Sequence, residues 1–244
     1  LALLAGFVAP ALITAHIPAA ASSHRTDWFP AAVGTQWTYE HVALDVASPK
    51  RVQWTTVETI VGERQIPEGI VILRKVERTG PGPNVTGYKA FWNYGDWLIH
   101  DGCAYPLADP GEDNTFVRYG WNSSTGKLSP GYVDALLRGY LHPWVCYPLT
   151  VGRIWKSDND PNLISRVEGT GNPGPFTLGS PLSRWSTDAV RVLEFNIQGR
   201  AYVWFRTGAG VTDLRYAHAG TFGEYIVTLK NFKLGDSNSV RGGL

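Results

Sequence analysis

No C-x-x-C pair, no cysteine–histidine cluster and no pair of histidines at metal-ligand spacing occurs anywhere in the 244 residues. Structural zinc and covalent haem attachment both need such spacings, so neither is expected. Charge of one sign is also lacking. Lys plus Arg number 22 against 21 Asp plus Glu, a net charge near +1. A balance this even gives no electrostatic footprint for nucleic acid or for an anionic membrane surface. G-x-S-x-G is absent, and Ser124-Thr125-Gly126-Lys127 matches S-x-x-K only inside a polar loop. The nucleophile–base–acid arrangements of hydrolases are therefore unmarked. Gly208-Ala209-Gly210 lacks the third glycine of a dinucleotide fingerprint, and a strand pattern follows it. No cofactor is expected.

Residues 1 to 22 contain no acidic or basic side chain and end in Ala19-Ala20-Ala21-Ser22. This reads as a secretory apolar region with a small-residue cleavage site after about Ala21. A retained N-terminal membrane anchor is the other reading, because roughly 20 apolar residues suffice to span a bilayer. Both predict an exported chain, periplasmic or extracellular. Export gives the two cysteines a role: Cys103 and Cys146 are the only possible pair, and an oxidising compartment favours their disulfide.

Aromatics, glycine and proline are plentiful, with 10 Trp, 11 Tyr, 27 Gly and 16 Pro. Trp and Tyr suit pleated, half-buried surfaces, and Gly and Pro punctuate turns, so the composition points to β structure. Phe29-Pro30-Ala31-Ala32-Val33-Gly34-Thr35-Gln36-Trp37 returns as Tyr147-Pro148-Leu149-Thr150-Val151-Gly152-Arg153-Ile154-Trp155, at a constant offset of 118 residues. Self-similarity at fixed spacing signals a duplicated supersecondary unit. Proline holds the preceding aromatic extended, glycine permits a sharp turn, and tryptophan buries a large area against the sheet.

Two long runs, 51–61 and 69–79, read as strands joined across 63–68, where Pro67 lies. Residues 87–94 and 97–100 read as a hairpin. Beyond it, 101–146 reads as a connector with a short helix near 131–140, capped by Ser129 with Pro130 in its first turn. Leu136, Leu137, Tyr140 and Leu141 are its expected apolar face. The second unit restarts at Tyr147, and its hairpin pairs 188–197 with 200–206. The predicted fold is all-β: two related antiparallel meanders, 28–100 and 147–233, forming one curved sheet or half-barrel, with a loose tail over 234–244.

Pro-x-x-Val-Gly-x-x-Trp followed by Thr38-Tyr39, together with Val203-Trp204-Phe205-Arg206-Thr207-Gly208-Ala209-Gly210-Val211, resembles a class of uncharacterised bacterial exported β proteins. Those carry a repeated "PL-x-VG-x-x-W" opening and a "WF-x-x-GxG" segment, and they are similar to the half-barrels of periplasmic lipoprotein carriers. The resemblance implies a strongly curved sheet and defines no catalytic residue.

Trp37, Trp92, Trp155 and Trp204 are the candidate ligand- or partner-binding residues, set against a plain role in the core. Asp158, Asp160 and Asn162 place oxygens as a calcium loop begins, but Leu163 stands where that loop needs glycine. His41, His100, His142 and His218 are expected at strand ends or loops. Glu194 and Glu224 are singled out as acids within apolar runs. The function expected is non-catalytic: an exported envelope protein that binds another envelope or membrane protein, as an interaction module or accessory subunit. A carrier of an apolar ligand or glycan is the alternative, and a secreted hydrolase with an unmarked site stands behind it.

Overall fold

Fifteen elements lie among the residues that the computed structural model describes, 32–44, 51–80, 95–107, 120–122, 125–156, 163–170, 190–196, 199–218 and 224–235. They are β1 (Gln36–Leu44), β2 (Arg51–Ile66), β3 (Gly69–Thr79), β4 (Trp97–His100), β5 (Cys103–Pro106), β6 (Trp121–Asn122), β7 (Lys127–Leu128), α1 (Pro130–Leu137), β8 (Val145–Cys146), β9 (Ile154–Lys156), β10 (Ile164–Thr170), β11 (Val190–Asn196), β12 (Gly199–Arg206), β13 (Gly210–His218) and β14 (Glu224–Lys233). A single 12-stranded sheet runs β8-β5-β4-β3-β2-β1-β14-β13-β12-β11-β10-β9, and β6 pairs with β7 apart from it. Every neighbouring pair in it is antiparallel. The first and last strands therefore meet at the centre, and each wing is a meander.

The curvature follows from the connectivity. β8 and β9 lie at opposite edges, yet only residues 147–153 separate them in sequence. Laid flat, the sheet would put those edges about 50 Å apart, at roughly 4.8 Å per strand. A fully extended link from Cys146 to Ile154 reaches at most about 29 Å. The sheet must curl, and it does so as a half-barrel with its main core on the concave face. Trp144 stands between the wings, its ring 4.8 Å from Trp97 of β4 and 5.6 Å from Phe205 of β12.

Where both copies of the sequence motif are described, 32–37 and 150–155, they fold into the same turn. Gly34 and Gly152 have φ of 85° and 88°, a region that favours glycine. Gly34 N donates to Ile60 O at 2.8 Å, as Gly152 N does to Val167 O at 2.8 Å. Ile60 N and Val167 N return the bond to Thr35 O and Arg153 O, each at 2.9 Å. Register shifts follow at Ile60/Gly62 in β2 and Val167/Gly169 in β10, so each turn docks beside a bulge. Gly235 N bonds Thr35 Oγ1 at 3.1 Å, so the start of the expected loose tail is tied to the first turn.

Several boundaries differ from expectation. β2 continues through Ile66, because Gly62 to Ile66 pair with Gly69 to Leu73 and leave only Pro67-Glu68 as the turn. The connector expected over 101–146 is partly sheet. Asp101-Gly102, a pair suited to a tight hairpin turn, joins β4 to β5, and β8 pairs with β5. The helix starts as expected, with the Ser129 side chain accepting from Tyr132 N. Of its expected apolar face, Leu136 is buried and Leu141 packs against the same core, whereas Leu137 is 71% exposed and Tyr140 is exposed; Tyr132 and Ala135 are buried in addition. Tyr132 and Leu136 join Ile66, Val71, Leu98, Leu107, Trp121 and Leu128 in this second, smaller core.

The disulfide joins Cys103 and Cys146, which sit directly opposite each other on β5 and β8. Closing that loop of about 44 residues restricts the unfolded chain by about 4 kcal/mol in the loop-entropy account. Replacing both cysteines by alanine is expected to lower the unfolding free energy by about that amount. Urea titration of the double variant against the oxidised protein measures it, and an unchanged midpoint would show that the bond adds nothing.

Candidate functional site

Period two along the central strands decides what the half-barrel encloses. From β1, Trp37, Tyr39 and His41 point inward; opposite them on β2 stand Glu58, Thr56 and Trp54. Arg74 of β3 pairs with Ile60 and so shares that face, as do Tyr225 and Val227 of β14. Both ring nitrogens of His41 are matched by protein hydroxyls, whereas the buried Trp54 Nε1 has no hydrogen-bond partner among the described residues. His41 Nδ1 lies 2.7 Å from Tyr225 OH and Nε2 lies 2.7 Å from Thr56 Oγ1. Its ring stacks on Trp54 at 5.0 Å and 8°. Burial pushes the His41 pKa down to about 3, so the imidazole is neutral in ordinary buffers. With both nitrogens engaged by protein hydroxyls, this ring offers none to a reactant.

Glu58 and Arg74 form the charged part of the interior. Arg74 Nη1 donates to Glu58 Oε2 at 2.8 Å, with side chains 4% and 2% exposed. Arg74 Nε and Nη2 donate to Gly95 O at 2.8 and 2.6 Å, and its guanidinium lies 5.2 Å from the centre of the Trp97 ring. Burial lowers the Arg74 pKa and Glu58 opposes that shift. Burial, then the charge of Glu58, holds the Tyr39 phenol well above its ordinary value, and its hydroxyl donates to Val211 O at 3.0 Å.

Of the four candidate tryptophans, the three that are described do not share one face. Trp37 and Trp155 are buried on the concave face and use their indole N–H groups alike, on Ala209 O at 2.6 Å and Pro143 O at 2.9 Å. Trp204 lies on the opposite face, because Val203 and Phe205 on either side of it point into the main core. Trp92 falls outside the described residues, as do Asp158, Asp160 and Asn162 of the calcium candidate. Trp54, Trp97 and Trp144 fill the interior instead. No group of three or more metal-ligating side chains occurs among the described residues.

Trp204 belongs to a buried cluster on the convex side. Tyr202 stacks against it at 6.1 Å, and Asp213, its pairing partner on β13, is fully buried. Arg215 Nε stands 3.5 Å from Asp213 Oδ2, and Thr228 Oγ1 bonds Oδ1 at 3.4 Å. Burial raises the Asp213 pKa to about 7 against the opposing pull of Arg215 and Thr228.

One sequence expectation changes here. His41 sits in mid-strand and fully buried rather than at an edge. Among the residues with described side chains the buried acids are Glu58 and Asp213; only the backbone of Glu194 and Glu224 is described. Glu58 was detectable: Trp54-Thr55-Thr56-Val57-Glu58-Thr59-Ile60 alternates, which puts it on the face of Trp54 and Ile60. Asp213 carried no such mark, since a register shift at Trp204/Phe205 resets which β13 side chains face inward.

No protein-family model matches the chain, and no curated protein matches it either. Among solved structures, the chain is similar to a Bacteroides fragilis protein inferred to be exported and described as having a YmcC-like fold. Identity is 12%, coverage 85% of this chain and 99% of that one, and the TM-score 0.38. It is also similar to a Parabacteroides distasonis protein inferred to be a lipoprotein, at 11% identity, 85% and 99% coverage and a TM-score of 0.35. A likeness at this level says nothing of activity. No helix among the described residues is long and apolar enough to cross a membrane.

Proposed function

We propose that this is a non-catalytic exported protein of the bacterial envelope that acts by binding, as an interaction module or accessory subunit of a membrane-associated assembly. The observation that carries this reading is the occupied concave face. Trp37, Trp54, Trp97, Trp155 and Phe205 are all at most 7% exposed there, with Trp144 seated between the wings. A carrier keeps that face clear for its cargo. Here binding falls to the outer surface and the sheet edges, where Val61, Tyr140, Val151 and Ile154 are exposed. The apolar segment 1–22 and the Cys103–Cys146 disulfide support export.

Native mass spectrometry of protein purified from its own host, after envelope fractionation, tests this. The expected mass is that of the polypeptide with the disulfide formed and nothing bound inside, in the envelope fraction. A stoichiometric lipid or glycan would turn the reading to the carrier, and a cytosolic protein with free thiols would end the export reading.

A further inference from the structure

The two motif turns differ in what lies beside them. Among the described residues, β1 is paired on both sides, with β2 and with β14, whereas β9 is the last strand of the sheet and pairs only with β10. Superposing one turn on the other makes Gln36, Trp37 and Thr38 equivalent to Ile154, Trp155 and Lys156. Because Arg153 O accepts from Val167 N and Trp155 pairs with Ser165, the backbone groups of Ile154 and Lys156 point away from β10. Their counterparts Gln36 and Thr38 pair with Lys233 and Asn231 of β14. Trp37 has both the carbonyl of Ala209 and the ring of Phe232, 5.9 Å away. Trp155 has the carbonyl of Pro143, and no described residue in the place of Phe232.

Above the turns the contrast repeats. A Cβ on Gly34 would meet Gly235 Cα at 3.6 Å; one on Gly152 would meet nothing within 4 Å. Val33 and Gln36 are half-buried, while Val151 and Ile154 are 56% and 58% exposed. An apolar, unpaired edge is what strand addition uses and what soluble β proteins otherwise blunt. Lys156 is exposed and makes no ion pair among the described residues.

We infer that the open edge of β9 takes up an extended segment of another polypeptide, antiparallel, in the place that β14 occupies beside β1. That segment carries an acidic residue opposite Lys156, an apolar residue opposite Ile154 and a small residue over Gly152. The inference rests on the binding role proposed above and names its surface.

The probe is a synthetic peptide of residues 228–235 carrying Asn231→Glu and Lys233→Val, added to the oxidised protein. Hydrogen exchange should slow at the amides of Ile154 and Lys156, saturably. Ile154→Pro removes an outward N–H at the first residue of an edge strand, where proline is tolerated, and should weaken binding at least tenfold. Lys156→Glu, which leaves the backbone intact, should prefer the peptide with Asn231→Lys over the acidic one. Absence of protection at both amides, or a Lys156→Glu protein that keeps the acidic preference, overturns the inference. So does concentration-dependent self-association abolished by Ile154→Pro, which assigns the edge to a second copy. Detergent extracts of the host envelope separate this from the broader reading. Wild type should run larger than a monomer and Ile154→Pro as one. An assembly unmoved by Ile154→Pro overturns the edge alone, and a monomeric wild type overturns the binding role itself.

Discussion

Glu58→Ala is expected to lower the unfolding free energy by about 3–5 kcal/mol, because it strands a buried guanidinium. Arg74 would keep Gly95 O, the face of Trp97 and the nearby charge of Asp96, but its guanidinium would lose the Glu58 carboxylate that bonds it at 2.8 Å from a side chain only 2% exposed. The pair as a whole is a different matter. Desolvating two ions costs about as much as their attraction returns, so replacing both by apolar groups of similar volume is often neutral or stabilising. Glu58→Leu combined with Arg74→Met is therefore expected to be more stable than Glu58→Ala alone. Chemical denaturation of the three proteins reads this as shifts of the midpoint at constant slope. A loss below about 1 kcal/mol in Glu58→Ala, the range of an exposed pair, would show that Arg74 reaches water or another acid once Glu58 is gone.

Between about pH 4 and 6.5, the variants His41→Gln and Asp213→Asn are expected to show opposite pH dependences of stability relative to wild type. His41 has its pKa lowered in the fold to about 3 from an ordinary 6.5. Its contribution is whole above pH 6.5 and is lost as pH falls toward 3, since the unfolded chain takes up the proton first. Asp213 has its pKa raised to about 7 from an ordinary 3.8. Its contribution is whole below that ordinary value and is lost as pH rises toward 7, since the fold holds the proton longer. Each slope approaches about 1.4 kcal/mol per pH unit where the two states differ by one proton. In wild type the two oppose each other.

Removing His41 should therefore leave stability falling with pH by about 3 kcal/mol more than in wild type across that window. Removing Asp213 should leave it rising by a similar amount. Whatever each substitution costs outright shifts the curve without changing its slope. Urea unfolding at half-unit pH steps gives the difference slopes. Parallel curves for wild type and His41→Gln would mean that the ring between Trp54 and Tyr225 is already protonated or reaches solvent.

Some of this was open to reading in the chain and some was not, and the line falls at pairing. The repeated turn is local: Val-Gly and then Trp specify a left-handed glycine and a buried ring in both copies. The Ser129 cap and the Cys103–Cys146 bond were legible for similar reasons, one needing only neighbouring residues and the other only a single possible partner. The Asp101-Gly102 hairpin was legible too, as a two-residue turn signal, although the chain's acidic loops beyond it drew the boundary too early. The helix face was legible only in part: Leu136 and Leu141 pack on the second core, but Leu136 and Leu137 are equally apolar and only packing chooses between them.

Alone, the sequence determined an all-β chain, two copies of one turn, a capped helix and a single disulfide, because each of these is set by residues near in sequence or by count. Tertiary structure decided the rest. It placed β14 beside β1 and left β9 at an edge, so that identical turns became a paired centre and an open rim. It also split the tryptophans between two faces, sending Trp37 and Trp155 inward and Trp204 outward. Neither outcome is local. Strand order and bulge position decide which neighbour a strand meets and which way each side chain points, and both arise only when distant segments pair.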